Sequence, residues 1–179
     1  MGIRVLHTYE QIDGDQWGQL ARESSTATWW QTKEAYQLFS SLPDYRVEVV
    51  GLADEDALCG VAVIIRPQAR TRVGLWLSRR AVIMGGVMVS DGISVEAYRR
   101  LMAAVVEQTS DVIYVEIRNL CDHSAWRGMI AQDGWQYVLH LNIRIDTSDA
   151  QSAISRIGKS KQNQIFAVVN PALQFVGGH

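Results

Sequence analysis

Residues 45–67, YRVEVVGLADEDALCGVAVIIRP, hold two strand-forming runs separated by the acidic turn Asp54-Glu55-Asp56. Two such runs around so short a turn read as an antiparallel hairpin. The block RVGLWLSRRAVIMGGVMVSD adds one or two further strands and ends near Gly85-Gly86. After it the pattern changes. Ser94 caps a helix in which Tyr98, Leu101, Met102 and Val105 share one face, the spacing of an amphipathic helix. Strand 112–118 follows, then a helix with Trp126, Met129 and Ile130 inward, then the alternating run Trp135–Asp146. One helix between two strands leaves room for a parallel crossover, so strands 112–118 and 135–146 are expected to be parallel neighbours. A hairpin block followed by β-α-β predicts an α/β (mixed α+β) fold, a mixed sheet with helices on both faces.

The N-terminal third supplies the other layer. Residues 3–8 read as a short strand. Asp13 and Gln16 have capping-box spacing ahead of Trp17, Leu20 and Ala21. Thr32 caps a second helix, with Glu34 in its first turn and Tyr36 and Phe39 on one face, and Leu42-Pro43 ends it. Trp29-Trp30 reads as core. Asp122 or Ser124 caps the helix before Asp133-Gly134, and Ser148-x-x-Gln151 opens a last one.

Composition excludes several classes. Hydrophobic residues make up 47%, charged residues 20% and the net charge is −2, so the chain is globular and lacks the basic excess of a general nucleic-acid binder. No DNA partner is expected. No apolar run is long enough to span a bilayer, and the start MGIRVLHTYEQIDGD has no signal core, so no membrane partner is expected and the predicted location is the cytoplasm. Cys59 and Cys121, far apart and with no CxxC, fit a reducing compartment.

The polar candidates gather on two strands. Tyr114, Glu116 and Arg118 alternate on one face of strand 112–118, and His140, Asn142 and Arg144 on one face of 135–146. As chemistry, Glu116 or His140 is the candidate general base, with Arg118, Asn119, Asn142 and Arg144 as candidate substrate-binding residues. As structure, Glu116 pairs with Arg118 or Arg144 and holds the sheet. If that pair is well buried, removing Glu116 costs about 3–5 kcal/mol. Cys121, Asp122 and His123 are adjacent and point apart, with no second cluster to complete a tetrahedral site, so no metal is expected. Arg66, Arg70, Arg72, Arg79 and Arg80 crowd one hairpin region, either as a phosphate site or as a solvated turn. GxSxG, the P-loop and GxGxxG after a strand are absent from the sequence.

Several strings together resemble FemAB-like proteins. WWQTKEAYQLF is similar to their F-Q-T-x-x-W/Y segment, and RRAVIMGGV to their strand leading into a Gly-Gly pair. YVEIRN and GWQYVLHLNIRID resemble the middle of their first domain, and IGKSKQNQI their Lys-containing helix. The likeness runs from about Trp17 to Ile165. It implies a GNAT-like (acyl-CoA N-acyltransferase) fold, usually in two copies per chain. The activities it implies are aminoacyl transfer from aminoacyl-tRNA to peptidoglycan precursors and related N-acyl transfers.

Two departures shape what is expected here. Residues 1–165 are expected to form a single GNAT-like domain, and the tail 166–179 is apolar and Pro-broken where a basic helix and then a second domain would follow. The acyl-CoA signature R/Q-x-x-G-x-G/A is replaced by SDGIS ahead of the Ser94 helix, so no glycine-rich turn offers amides to a pyrophosphate. No cofactor, acetyl-CoA included, is therefore expected to bind. The expected function is the N-terminal half of an N-acyl or aminoacyl transferase, not catalytic alone, acting on an amine-bearing or aminoacyl substrate. It would be completed by a missing second domain or by homo-oligomerisation. The alternative is a non-enzymatic interaction or oligomerisation module of the same fold.

Overall fold

The computed structural model describes residues 2–68, 79–140, 142 and 148–163. The chain divides into two compact units, residues 1–138 and 139–179. In the first, the strands are β1 (Arg4–Leu6), β2 (Tyr45–Asp54), β3 (Ala57–Pro67), β4 (Arg80–Gly85), β5 (Met88–Val89) and β6 (Tyr114–Asn119). Its helices are α1 (Gly14–Glu23), α2 (Lys33–Ser40), α3 (Val95–Gln108) and α4 (Arg127–Gln132). Among the described residues the sheet order is β1-β2-β3-β4-β6, with β5 also pairing on β3.

The expected hairpin forms the centre. β2 and β3 pair antiparallel from Tyr45–Pro67 to Asp54–Ala57, with Glu55 at φ 53° in the tight turn. The register slips once. Leu52 faces Gly60 and Ala53 faces Leu58, leaving Cys59 as the extra residue of a bulge on β3.

The sheet carries helices on both faces, as predicted. Val50, Leu52, Ala62, Ile64, Ala81 and Ile83 point to α3, whose Tyr98, Leu101, Met102 and Val105 are the stripe read from the sequence. Val49, Val61, Val63 and Ile65 point the other way, onto Trp17 and Leu20 of α1, with Tyr36 and Phe39 of α2 against them.

Local capping explains where the helices start. Asp13 accepts from the Asp15 and Gln16 amides, Thr32 from Ala35 and Ser94 from Ala97. The carboxamide of Gln16 serves a different purpose from the expected box. Its oxygen accepts from the Leu58 amide at 2.8 Å and its nitrogen donates to the Asp56 carbonyl at 3.0 Å, tying α1 to the β2–β3 turn.

Among the described residues β6 pairs with β4, in parallel from Arg80–Tyr114 to Gly85–Asn119. Two expectations are corrected. Positions 135–140 adopt no strand. Trp135 and Tyr137 pack against the α3 core cluster as partly buried side chains, so their alternation reflects anchoring onto that core. Residues 141 and 143–146 of that run lie outside the described residues. Trp29 is 49% exposed, not core. It opens the 3-10 turn Trp29–Gln31, which buries Gln31.

In the second unit, α5 (Ala150–Arg156) begins with the Asp149 carboxylate accepting from the Gln151 amide. Helical backbone resumes over 159–163, in the Lys-containing string. There the Gln162 carboxamide donates to the Ile157 carbonyl and to the Ile154 carbonyl, which also accepts from the Ile157 amide, and so ties this turn to the end of α5.

Leu101 is fully buried at the centre of α3, whereas Val106 on the same helix is half exposed. Leu101→Ala is expected to cost about 2–5 kcal/mol in urea unfolding, from lost contacts plus the cavity left. Val106→Ala should change stability by less than about 0.5 kcal/mol.

Candidate functional site

The parallel pair β4–β6 closes at Gly85 opposite Asn119. The chain then turns through Gly85 and Gly86, at φ 82° and 92°, and re-enters the sheet as β5 on β3. The two parallel strands part at this point. Positive φ suits glycine because it has no Cβ to clash, and here the surroundings also leave no space for one. A Cβ on Gly85 would collide with Thr28 Oγ1, and one on Gly86 would lie 2.6 Å from Asn119 Oδ1 and 3.1 Å from His123 Nε2.

Gln31 fixes this turn from below. Its backbone carbonyl accepts from the Trp17 indole at 2.8 Å. Its side-chain oxygen accepts from the Thr28 amide at 2.9 Å and hydroxyl at 2.7 Å. Its side-chain nitrogen donates to the Gly86 carbonyl. Each polar atom of a fully buried carboxamide is thus engaged, as burial requires.

His123 closes the parting from the β6 side. It is 1% exposed, and neither ring nitrogen has a hydrogen-bond partner among the described residues. Burial pushes the imidazole below its ordinary range, with Asp122 opposing weakly, so the ring is neutral near pH 7. A neutral imidazole can donate from one nitrogen and accept at the other. Beside it stands Asn119, whose Oδ1 borders the Gly86 turn together with the His123 Nε2.

The residues proposed from sequence are distributed unevenly. Glu116, Arg118 and Asn119 lie together on β6. Arg118 forks onto Glu116, Nε to Oε1 at 2.8 Å and Nη2 to Oε2 at 3.1 Å. The expected pairing is therefore made, but not the expected burial: the Arg118 and Glu116 side chains are 49% and 37% exposed. His140 and Asn142 are exposed residues of the second unit, and Arg144 lies outside the described residues. Gln31 and His123 were not proposed. The Gln between Trp30 and Thr32 and the Gly-Gly pair were visible signals, but the burial of His123 between polar neighbours left no mark in the pattern.

The turn entering α3 is where an acyl-CoA pyrophosphate would be expected, and its residues do not fit. Asp91 accepts from the Ser25 amide at 2.9 Å and hydroxyl at 2.8 Å, bonds that hold its carboxyl below the usual range and keep it ionised. Glu96 adds a second carboxylate in the first turn, and the Ala97 amide is already taken by Ser94. These carboxylates offset the positive end of the helix dipole, which would otherwise attract an anion.

No protein-family model matches the chain, and no curated protein matches it. Solved structures do. A transcriptional regulator from Bacillus halodurans C-125 aligns with a TM-score of 0.52 at 10% identity, covering 80% of this chain and 99% of that one. A GNAT family acetyltransferase from Staphylococcus aureus subsp. aureus USA300_TCH1516 aligns with a TM-score of 0.50 at 13% identity, covering 81% and 99%. The fold is GNAT-like. A ribosomal-protein-alanine N-acetyltransferase from Brucella melitensis biovar Abortus 2308 gives 0.49 at 11% identity, covering 78% and 100%.

Two outcomes are expected at this site. Glu116→Gln should lower stability by less than about 1 kcal/mol in urea unfolding, the range of an exposed ion pair; a loss of several kcal/mol would restore the buried-pair reading. His123 makes stability depend on pH. The unfolded chain takes up a proton near pH 6.5 and the folded chain only at lower pH. Its contribution is therefore complete above that value and is lost as the pH falls through it. Wild type should lose more stability than His123→Gln between about pH 7 and 5; equal losses would assign the titration elsewhere.

Proposed function

We propose that this chain is a FemAB-like N-acyl or aminoacyl transferase domain of GNAT fold, one half of a two-domain enzyme and not catalytic alone. One solved structure of this fold is a transcriptional regulator and another an acetyltransferase, so function is argued from the site. The observation that carries the reading is the convergence of Gln31, Gly85-Gly86, Asn119 and His123 where β4 and β6 part. These residues come from the strings that resemble the FemAB family, or lie just beyond them, and they are distant in sequence.

In this reading the donor is an aminoacyl ester rather than acyl-CoA, because Asp91 and Glu96 oppose a pyrophosphate at α3. The acceptor is an amine, as in a peptidoglycan precursor. The amine nitrogen attacks the ester carbonyl, a C–N bond forms and the C–O ester bond breaks. The surplus amine proton passes to a base and from it to the leaving alkoxide, which departs as the alcohol; Glu116, partly exposed on β6, is the candidate base.

A second reading has its own support. Trp29, Leu38 and Leu42 are 49%, 47% and 37% exposed. Trp29 also lies against Trp30 and Phe39. An apolar surface of this kind suits a docking or oligomerisation module.

The test is donor choice. Filter retention of radiolabelled aminoacyl-tRNA should show binding, and calorimetry with acetyl-CoA should show no heat at micromolar concentrations. Micromolar acetyl-CoA affinity would overturn the donor assignment. Absence of aminoacyl-tRNA retention, together with a dimer in sedimentation, would favour the module.

A further inference from the structure

Gly85 ends β4 at the parting; the other end of β4 starts at Arg80 and opens onto a separate cavity. Its volume is about 140 Å³, and its lining includes Arg46, Arg66, Arg79, Arg80 and Asp111. These residues come from β2, β3, β4 and the segment before β6, so the sheet itself assembles them.

The cluster is built around one immobilised guanidinium. The Arg66 side chain is 9% exposed. Its Nε lies 2.7 Å from Glu48 Oε2, its Nη1 lies 2.6 Å from Asp111 Oδ1, and its Nη2 donates to the Gln108 carbonyl at 2.6 Å. Arg66 in turn holds the Asp111 carboxyl below its usual range, so that charge persists. Glu48 also binds Arg46 at 2.7 Å. Both carboxylates are thus engaged by Arg46 and Arg66.

Arg79 and Arg80 are left over. Both are exposed, and neither has a carboxylate within ion-pair distance among the described residues. Arg80 reaches the Tyr114 hydroxyl at 3.5 Å. Two adjacent guanidiniums with no carboxylate at ion-pair distance among the described residues, on a concave surface beside a fixed third, match a doubly charged anion. A carboxylate ligand would neutralise one of them. Forked N–H donors suit phosphate oxygens. Sites for whole drug-sized ligands measure about 300–1,000 Å³, so this cavity is sized for an anionic head group.

We propose that the cavity at the Arg80 end of the sheet binds a phosphate or diphosphate group, with Arg79 and Arg80 as its ligands. The site stands apart from the β4–β6 parting and does not depend on the transferase reading.

Calorimetry at low salt tests it, with inorganic pyrophosphate, ADP and acetate as probes. Wild type should bind pyrophosphate one to one. Arg79→Gln/Arg80→Gln should weaken that binding about tenfold or more, the scale of lost charge-assisted hydrogen bonds. The exposed pair Arg4→Gln/Arg22→Gln should leave it unchanged. Tighter binding of ADP would identify a nucleotide as the source of the group, and equal binding the free diphosphate. No binding of either probe at millimolar concentration would overturn the proposal. So would equal weakening by both double variants, or acetate binding as tight as pyrophosphate. Arg79→Gln alone, read by the same titration, should shift binding in the same direction and covers the case in which the double variant fails to fold.

Discussion

A hydrogen bond from the Gln31 carboxamide to the Gly86 carbonyl joins the two layers of this molecule at the point where its parallel strands separate. Gln31 is held on three sides, by the Trp17 indole, the Thr28 amide and the Thr28 hydroxyl. Trp17 belongs to the α1 core and Gly86 to the turn between β4 and β5, so one buried side chain ties helix packing to strand geometry. A buried carboxamide that lost any of these partners would carry an unsatisfied group, at about 1–3 kcal/mol. The parting of β4 from β6 is therefore a fixed feature, held by the same residues that position α1.

Much of the scaffold was legible because its periods are clean. The α3 stripe, the β2–β3 hairpin and the caps at Asp13, Thr32 and Ser94 each rest on local chemistry that a sequence displays directly. Strand pairing was less legible. Val115 and Ile117 showed which face of β6 is buried, but not that β4 lies beside it, because pairing partners are chosen by the whole sheet. The alternation at Trp135 and Tyr137 was misread as a strand, since two aromatic anchors two residues apart give the same period as a pleat.

The site was legible in part. Glu116, Arg118 and Asn119 were visible as polar residues ending an apolar strand, and the fork between Glu116 and Arg118 followed from their spacing. Their exposure did not, because burial of a strand's second face depends on what the chain lays over it. His123 was hidden for the opposite reason. Its neighbours Asp122 and Ser124 are polar, the Asp122 carboxylate accepts from the Ser124 amide, and that local turn carries the imidazole inward. The two ends of β4 also differ in electrostatic character. The Gly86 end is lined by neutral amides and a neutral imidazole, and the Arg80 end by guanidiniums.

The Gly85-Gly86 turn has a genetic consequence. Glycine codons tolerate any third base, but every change at the first or second base brings a side chain or a stop. At both positions that first added carbon meets an atom of Thr28 or Asn119. These adjacent codons therefore have no conservative neighbours, and drift by single-base steps is closed to this turn unless the opposing side chain changes in the same lineage.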